Sequence, residues 1–329
     1  MNRFVRRLLF ATLLGVLVYG AFALYTGLAR MQESLSAFQW SHFGWALALA
    51  STNYLIRYLK WEYYLRRLGI RGVAAMDSLL VFLSGFVLTV TPGKVGEVFK
   101  SAVLFRTHDV PVARTAPIVV AERLTDALGV VVLIVLGSTT FTGGGGWALA
   151  GGLAVATGVL AIVWEAPVQA TLRWLGRRGG KLAGLVPKLS EAYASLRVVA
   201  GPAALLIPTF LSCIAWGLEG IALYLILRGF GADVPLPRAA FFYSTATLAG
   251  ALVPLPGGLG IVEGIIREQL VHVSHMQEGP ATASMILIRF ATLWWAVLVG
   301  FAALLVLRIR FKERLADGNA LAEAGAGQG

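Results

Sequence analysis

Apolar runs of about twenty residues recur from one end of the chain to the other, and short segments holding most of the lysine and arginine separate them. A helix of about 20 residues crosses roughly 30 Å of hydrocarbon, so the pattern predicts full spans near 8–28, 43–60, 116–138, 147–165, 203–227 and 284–307. Two further apolar regions, 76–105 and 240–271, are too long for one span, and each is interrupted. The first interruption reads Thr91-Pro92-Gly93-Lys94-Val95-Gly96-Glu97; the second reads Leu255-Pro256-Gly257-Gly258-Leu259-Gly260-Ile261-Val262-Glu263. Both are Pro-Gly-x-x-Gly followed by a glutamate. Proline lacks a backbone donor and glycine accepts positive φ, so Pro92, Gly93, Gly96 and Pro256, Gly257, Gly258, Gly260 are expected to break helices. Irregular backbone at membrane depth persists only where protein or a polar cavity covers it. Two such breaks in corresponding halves point to a transporter's binding site.

Loop charge orients these elements. Connectors with Arg66, Arg67 and Arg71, with Arg173 to Arg197, and with Arg308 to Arg314 read as cytoplasmic, as do both termini. The Gly143–Gly146 loop and the connector around His272, His275 and Glu278 carry no lysine or arginine and read as external. These assignments close only if 76–105 and 240–271 each enter and leave on one side, as oppositely oriented re-entrant hairpins. The alternative is a pair of kinked helices in each region. The expected class is therefore an all-α polytopic membrane protein with an inverted-topology repeat, repeat A at 43–138 and repeat B at 203–307. An amphipathic connector at 166–200 is expected on the inner leaflet, and a disordered tail at 315–329. Residues 1–314 read as a single transmembrane domain. Arg3, Arg6 and Arg7 before Leu8 resemble a signal sequence, but the apolar run outlasts an ordinary h-region and reads as an uncleaved first span.

Composition changes this picture little. The net charge of +11 sits at span ends, which argues against nucleic acid as a partner and for an anionic lipid surface. The single cysteine, Cys213, excludes an intrachain disulfide. His272 and His275 lie in a polar loop, and no metal or other cofactor is expected.

Ionisable residues inside the membrane are expensive and mark function by default. They are Arg57, Lys94, Glu97, Lys100, Glu122, Arg123 and Asp126 in the first half, and Glu219, Glu263, Arg267, Glu268 and Arg289 in the second. Arg123 and Asp126 are three apart and Glu122 and Asp126 four apart, so one helix face can gather them. Arg57 and Glu219 each precede a break by about 35 residues, and Arg123 and Arg289 each follow one by about 32. Arginines could hold an anionic group, with carboxylates neutralising them in its absence; buried structural ion pairs are the alternative. Glu97 and Glu263 could take part in proton coupling, or cap backbone within their hairpins.

Pro92-Gly93-x-x-Gly96-Glu97-x-x-Lys100, then Glu122-Arg123-x-x-Asp126, then Pro254-x-Pro256-Gly257-Gly258-x-Gly260-x-x-Glu263 resemble the lysylphosphatidylglycerol synthase transmembrane family, the flippase-like membrane proteins. The resemblance runs from about Leu9 to Leu307 and is to stand-alone members lacking the aminoacyltransferase. It implies lipid translocation without synthase activity, in the inner membrane, with membrane lipids and lipid-synthesis enzymes as partners. The rival expectations are a secondary transporter of a small anion, a membrane enzyme or subunit of complex-lipid synthesis, and a scaffold. The sequence leaves open the lipid, the direction and the oligomeric state.

Overall fold

The computed structural model describes residues 15, 17–90, 97–139, 186–253, 255–312 and 314, with scattered positions between 145 and 174. Every element among them is helical. Helix α1 (Leu17–Thr26) leads through Gly27 into α2 (Leu28–Ser36). Then come α3 (Trp40–Arg67), α4 (Ala75–Ser84) with a 3-10 turn to Leu88, α5 (Phe99–His108) and α6 (Val112–Ser138). The second half holds α7 (Val186–Ala200), α8 (Pro202–Gly229), α9 (Leu236–Leu252) and α10 (Ile261–Glu268), and ends in α11 (Glu278–Arg310). The start of the expected span 8–28, most of 147–165, and the break at 91–96 with Pro92, Gly93, Lys94 and Gly96 lie outside the described residues. So do Pro254 and the tail from 315.

By length and hydropathy alone, Ala204–Gly229 and Glu278–Arg310 qualify as membrane-crossing helices. Helices α3 and α6, of 28 and 27 residues, are long enough at about 1.5 Å per residue. Polar and charged residues in mid-helix dilute their hydropathy, among them Asn53 and Arg57 in α3 and Glu122, Arg123 and Asp126 in α6.

Helices α3 and α8 are the same length and pack antiparallel. At one end the Gln39 amide donates to the Gly229 carbonyl at 3.0 Å, and toward the other Lys60 reaches Ser212 at 2.6 Å. Between them the Asn53 amide donates to the Ala215 carbonyl at 2.7 Å. The chain from α4 to α5 folds back on itself, so Asp77 in the first turn of α4 lies 3.9 Å from His108 at the end of α5. The chain from α9 to α10 does likewise: Gln269 donates to Thr245 at 2.8 Å, and Val262 packs over Gly250. The two hairpins approach from opposite ends of the bundle and meet where Val90 lies beside Gly257. In the second break Gly257, Gly258 and Gly260 all hold positive φ, the conformation its Pro-Gly pattern requires.

Basic residues collect at one end, where Arg114 donates to the Leu68 carbonyl, Arg310 pairs with Asp77 at 2.9 Å and Arg314 pairs with Asp109 at 2.8 Å. The end of α7 packs there too, with Val199 and Ala200 buried, so this part of the connector is anchored to the bundle. Helix α11 crosses the first hairpin closely at Gly300. A Cβ there would come within 2.7 Å of the Val87 nitrogen.

Candidate functional site

The centre of the bundle is charged. On α3, Asn53, Arg57, Lys60 and Tyr64 recur at helical spacing and form a polar stripe facing α6 and α8. Lys60 Nζ donates to Asp126 Oδ1 and to Ser212 Oγ, both at 2.6 Å, and Ser212 Oγ donates to the same carboxylate at 3.0 Å. Arg123 lies 3.0 Å from Asp126 and 3.0 Å from Glu97, and Arg57 is 3.9 Å from Asp126. Glu122 turns away from this set and accepts from Lys100 at 2.5 Å. The Lys100 ammonium also sits 4.5 Å from the centre of the Trp61 ring.

The second half is sparser. Arg289 donates to Glu263 Oε1 at 2.6 Å and to the Gly257 carbonyl at 2.7 Å. The other oxygen of Glu263 accepts the Gly260 amide at 2.8 Å, which caps α10. Tyr19 on α1 donates to Glu263 at 3.4 Å and accepts from Trp294 at 2.8 Å. Glu219 accepts from the Tyr243 hydroxyl.

Two spacings recur between the halves. Glu97 and Arg123 are 26 residues apart, as are Glu263 and Arg289. Arg57 and Glu219 both stand eighteenth in a 28-residue helix.

Two pockets lie between the halves. One, of about 60 Å³, runs between Tyr54, Arg57, Phe86, Thr89 and Glu97 on one side and Arg289, Thr292, Leu293 and Ala296 on the other. That volume holds a few waters. The other, of about 190 Å³, lies between Arg123, Asp126, Ala127 and Val130 and the α9 residues Thr247 and Leu248, with Val253 just past the helix end. Positions 123, 126, 127 and 130 are each 166 residues before 289, 292, 293 and 296. The second pocket joins the last helix of the first half to the second hairpin, and the first pocket joins the last helix of the second half to both hairpins. They share Trp216, Thr247, Gly250, Ala251 and Gly258 as a common wall. They differ in access: the Arg123 side chain is 28% exposed, that of Arg289 only 7%.

Beside Arg289 lies a third space of about 610 Å³, lined by Phe43, Leu47, Phe290, Trp294, Trp295, Val297, Leu298 and Phe301. A π-helical turn at Phe290–Trp294 turns Thr292 and Leu293 to the polar pocket and Phe290 and Trp294 to this groove.

Residues 9–300 match the family described as the lysylphosphatidylglycerol synthase TM region. The chain belongs to that family. It is thus a helical membrane protein, and its family ties it to membrane lipid handling. A UPF0104 membrane protein of Methanothermobacter thermautotrophicus is 35% identical over 109 residues, which is 32% of this chain and 31% of that protein. The chain thus matches about a third of that relative's length.

Within this family framework, the described residues among those singled out from sequence fall into groups. Arg57, Glu97, Glu219, Glu263 and Arg289 line or adjoin the first pocket, and Arg123 and Asp126 line the second. Lys100 and Glu122 form a separate pair beneath Trp61. Arg267 and Glu268 stand apart from the pockets, joined to each other at 2.7 Å, with Arg267 also 3.6 Å from Glu278. His272 pairs with Glu268 at 3.0 Å on the exposed surface. The sequence reading passed over Lys60, Tyr19, Tyr54, Trp216 and Tyr243. The stripe Asn53-Arg57-Lys60-Tyr64 was the available signal for Lys60. The aromatic residues gave none, because an aromatic at helical spacing looks the same in a core or at a pocket.

Proposed function

We propose that this protein translocates an anionic or phosphate-bearing lipid between the leaflets of the inner membrane, as a transporter without bond-making chemistry. One observation carries the reading: two pockets, each with an arginine on a helix face whose four lining positions are 166 residues from those of the other, meet at a shared wall. A headgroup can then be held at Arg123, passed along the wall and held at Arg289. Arginine's fork suits a phosphodiester at both stations.

The antiparallel packing of α3 on α8 and the opposed hairpins support an inverted-topology repeat, with the hairpins re-entrant from opposite faces. In this arrangement α3, α6, α8 and α11 are full spans, joined by the spans at 8–28 and 147–165. The basic end faces the cytoplasm, together with both termini. Tails stay in the bilayer. The apolar groove beside Arg289 follows α11 from Phe290 to Phe301, about 16 Å at the helical rise, which is roughly the depth of one leaflet. Such a groove beside a cation site favours a lipid over a small soluble anion.

The test is reconstitution into vesicles with fluorescent phosphatidylglycerol, read by quenching of the probe in the outer leaflet. Arg123→Gln and Arg289→Gln should each slow its movement by about tenfold or more, the loss of roughly 1.4 kcal/mol of interaction. Movement no faster than in empty vesicles, or equal in both variants and the native protein, would refute the proposal.

A further inference from the structure

The halves share only part of their buried charge. The pairs Glu97–Arg123 and Glu263–Arg289 recur at identical spacing. At the same offset of 166 residues Lys100, Glu122 and Asp126 are matched by Ile266, Ile288 and Thr292; Lys60, counted from the start of its helix, is matched by Ala222. What both halves keep is one glutamate on one arginine; Glu97 also lines the pocket of Arg289, and Asp126 lines that of Arg123.

An anion entering either pocket, on the reading proposed above, competes with that glutamate for the arginine. At the first station every other cation already has a carboxylate: Asp126 is shared by Lys60 at 2.6 Å, Arg123 itself at 3.0 Å and Arg57 at 3.9 Å, and Lys100 is held by Glu122 at 2.5 Å. Glu97 is also within the electrostatic reach of Arg57 and Lys100, with Glu122 beside it. At the second, Glu263 is fully buried and faces Arg289, the Tyr19 hydroxyl and the Gly260 amide, with Tyr243 and Glu219 beyond. A carboxylate displaced beside a phosphate would leave two like charges together in a low dielectric, at a cost of several kcal/mol. A single proton removes that cost.

We infer that each pocket exchanges a proton for a contact: the glutamate takes up one proton as the anionic headgroup takes its arginine. The paired Glu⁻·Arg⁺, a lipid phosphate and H⁺ become neutral GluH and Arg⁺·phosphate. No covalent bond to carbon or phosphorus changes. When the headgroup moves to the other arginine, the first glutamate restores its pair and its proton passes to the second glutamate. One proton therefore accompanies each headgroup, and a pH gradient drives the lipid toward the side to which protons flow.

The experiment is titration calorimetry of the detergent-solubilised full chain with dihexanoyl-phosphatidylglycerol in two buffers of different ionisation enthalpy, which counts protons taken up on binding. The native protein should take up close to one proton per lipid. Its affinity should rise by up to about tenfold per unit fall in pH while the linkage is complete. Glu97→Gln/Glu263→Gln should bind more tightly, with little pH dependence and little proton uptake. Binding by the native protein without proton uptake overturns the exchange and leaves the translocator reading standing. Uptake that persists in the folded double variant overturns the assignment to these glutamates. No binding by the native protein refutes the translocator reading itself, and the exchange with it.

Discussion

The pair Lys100–Glu122 offers a test of what the unmatched charges do. Its two side chains are 4% exposed and 2.5 Å apart, and the corresponding positions of the second half hold Ile266 and Ile288. Replacing Glu122 alone by isoleucine strands a buried ammonium, and replacing Lys100 alone strands a buried carboxylate. Either change costs about 3–5 kcal/mol. Lys100→Ile additionally loses its placement over Trp61 and Phe82, about 0.5–2 kcal/mol. The double variant Lys100→Ile/Glu122→Ile recreates the apolar pair of the other half, and swaps of this kind range from neutral to stabilising. Thermal unfolding followed by tryptophan fluorescence in detergent reads the effect. At about 2–4 °C per kcal/mol for a chain of 150–250 residues, and somewhat less for a longer one, each single variant should melt roughly 6–15 °C lower. The double variant should recover most of that loss, a coupling of about 3 kcal/mol or more. A double variant that melts as low as the two losses added together would refute the reasoning, because the two charges would then not be compensating one another.

Other consequences are as direct. His108 lies beyond the spans at the basic end, and burial pulls its pKa below the ordinary histidine value, with Asp77 opposing and Arg314 reinforcing the shift. The unfolded chain therefore binds a proton there more readily, and stability should fall as pH drops through about 6.5. His108→Gln should flatten that slope in melting curves taken between pH 7 and 5, and a steeper slope would contradict the assignment. Gly300→Ala pushes a Cβ into backbone of the first hairpin and should cost about 1–3 kcal/mol, read as a lower melting temperature. Tyr19→Phe removes the hydroxyl between Trp294 and Glu263 and should cost about 1 kcal/mol. An unchanged melting point would mean that α1 does not hold this position.

The second Pro-Gly break was legible as a turn because the chemistry is local: glycine's tolerance of positive φ and proline's missing donor act within a few residues. The relation between the halves was only half legible. Counted from the breaks, the arginines follow at unequal intervals, because Glu97 follows Gly96 by one residue and Glu263 follows Gly260 by three. Counted from the glutamates, the interval is 26 in both, and it is the glutamate–arginine contact that the fold preserves. The three-residue spacing of Arg123 and Asp126 gave a true pair, since helical geometry alone brings them together. The four-residue spacing of Glu122 and Asp126 placed them on one helix face without saying that they answer to different lysines.

The sequence by itself determined the helical class, the membrane setting and most of the buried charges, Lys60 excepted, because hydrophobic length and the expense of intramembrane charge are properties of composition along the chain. Tertiary structure decided the pairings. Lys60 reaches Asp126 across 66 residues and Ser212 across 152, contacts set by how α3 crosses α6 and α8. Only helix packing gathers Arg57, Glu97, Glu219, Glu263 and Arg289 at one pocket and Arg123 and Asp126 at the other, with one wall between them. Spacing along a chain fixes which face of a helix a residue occupies, whereas helix packing fixes what that face meets.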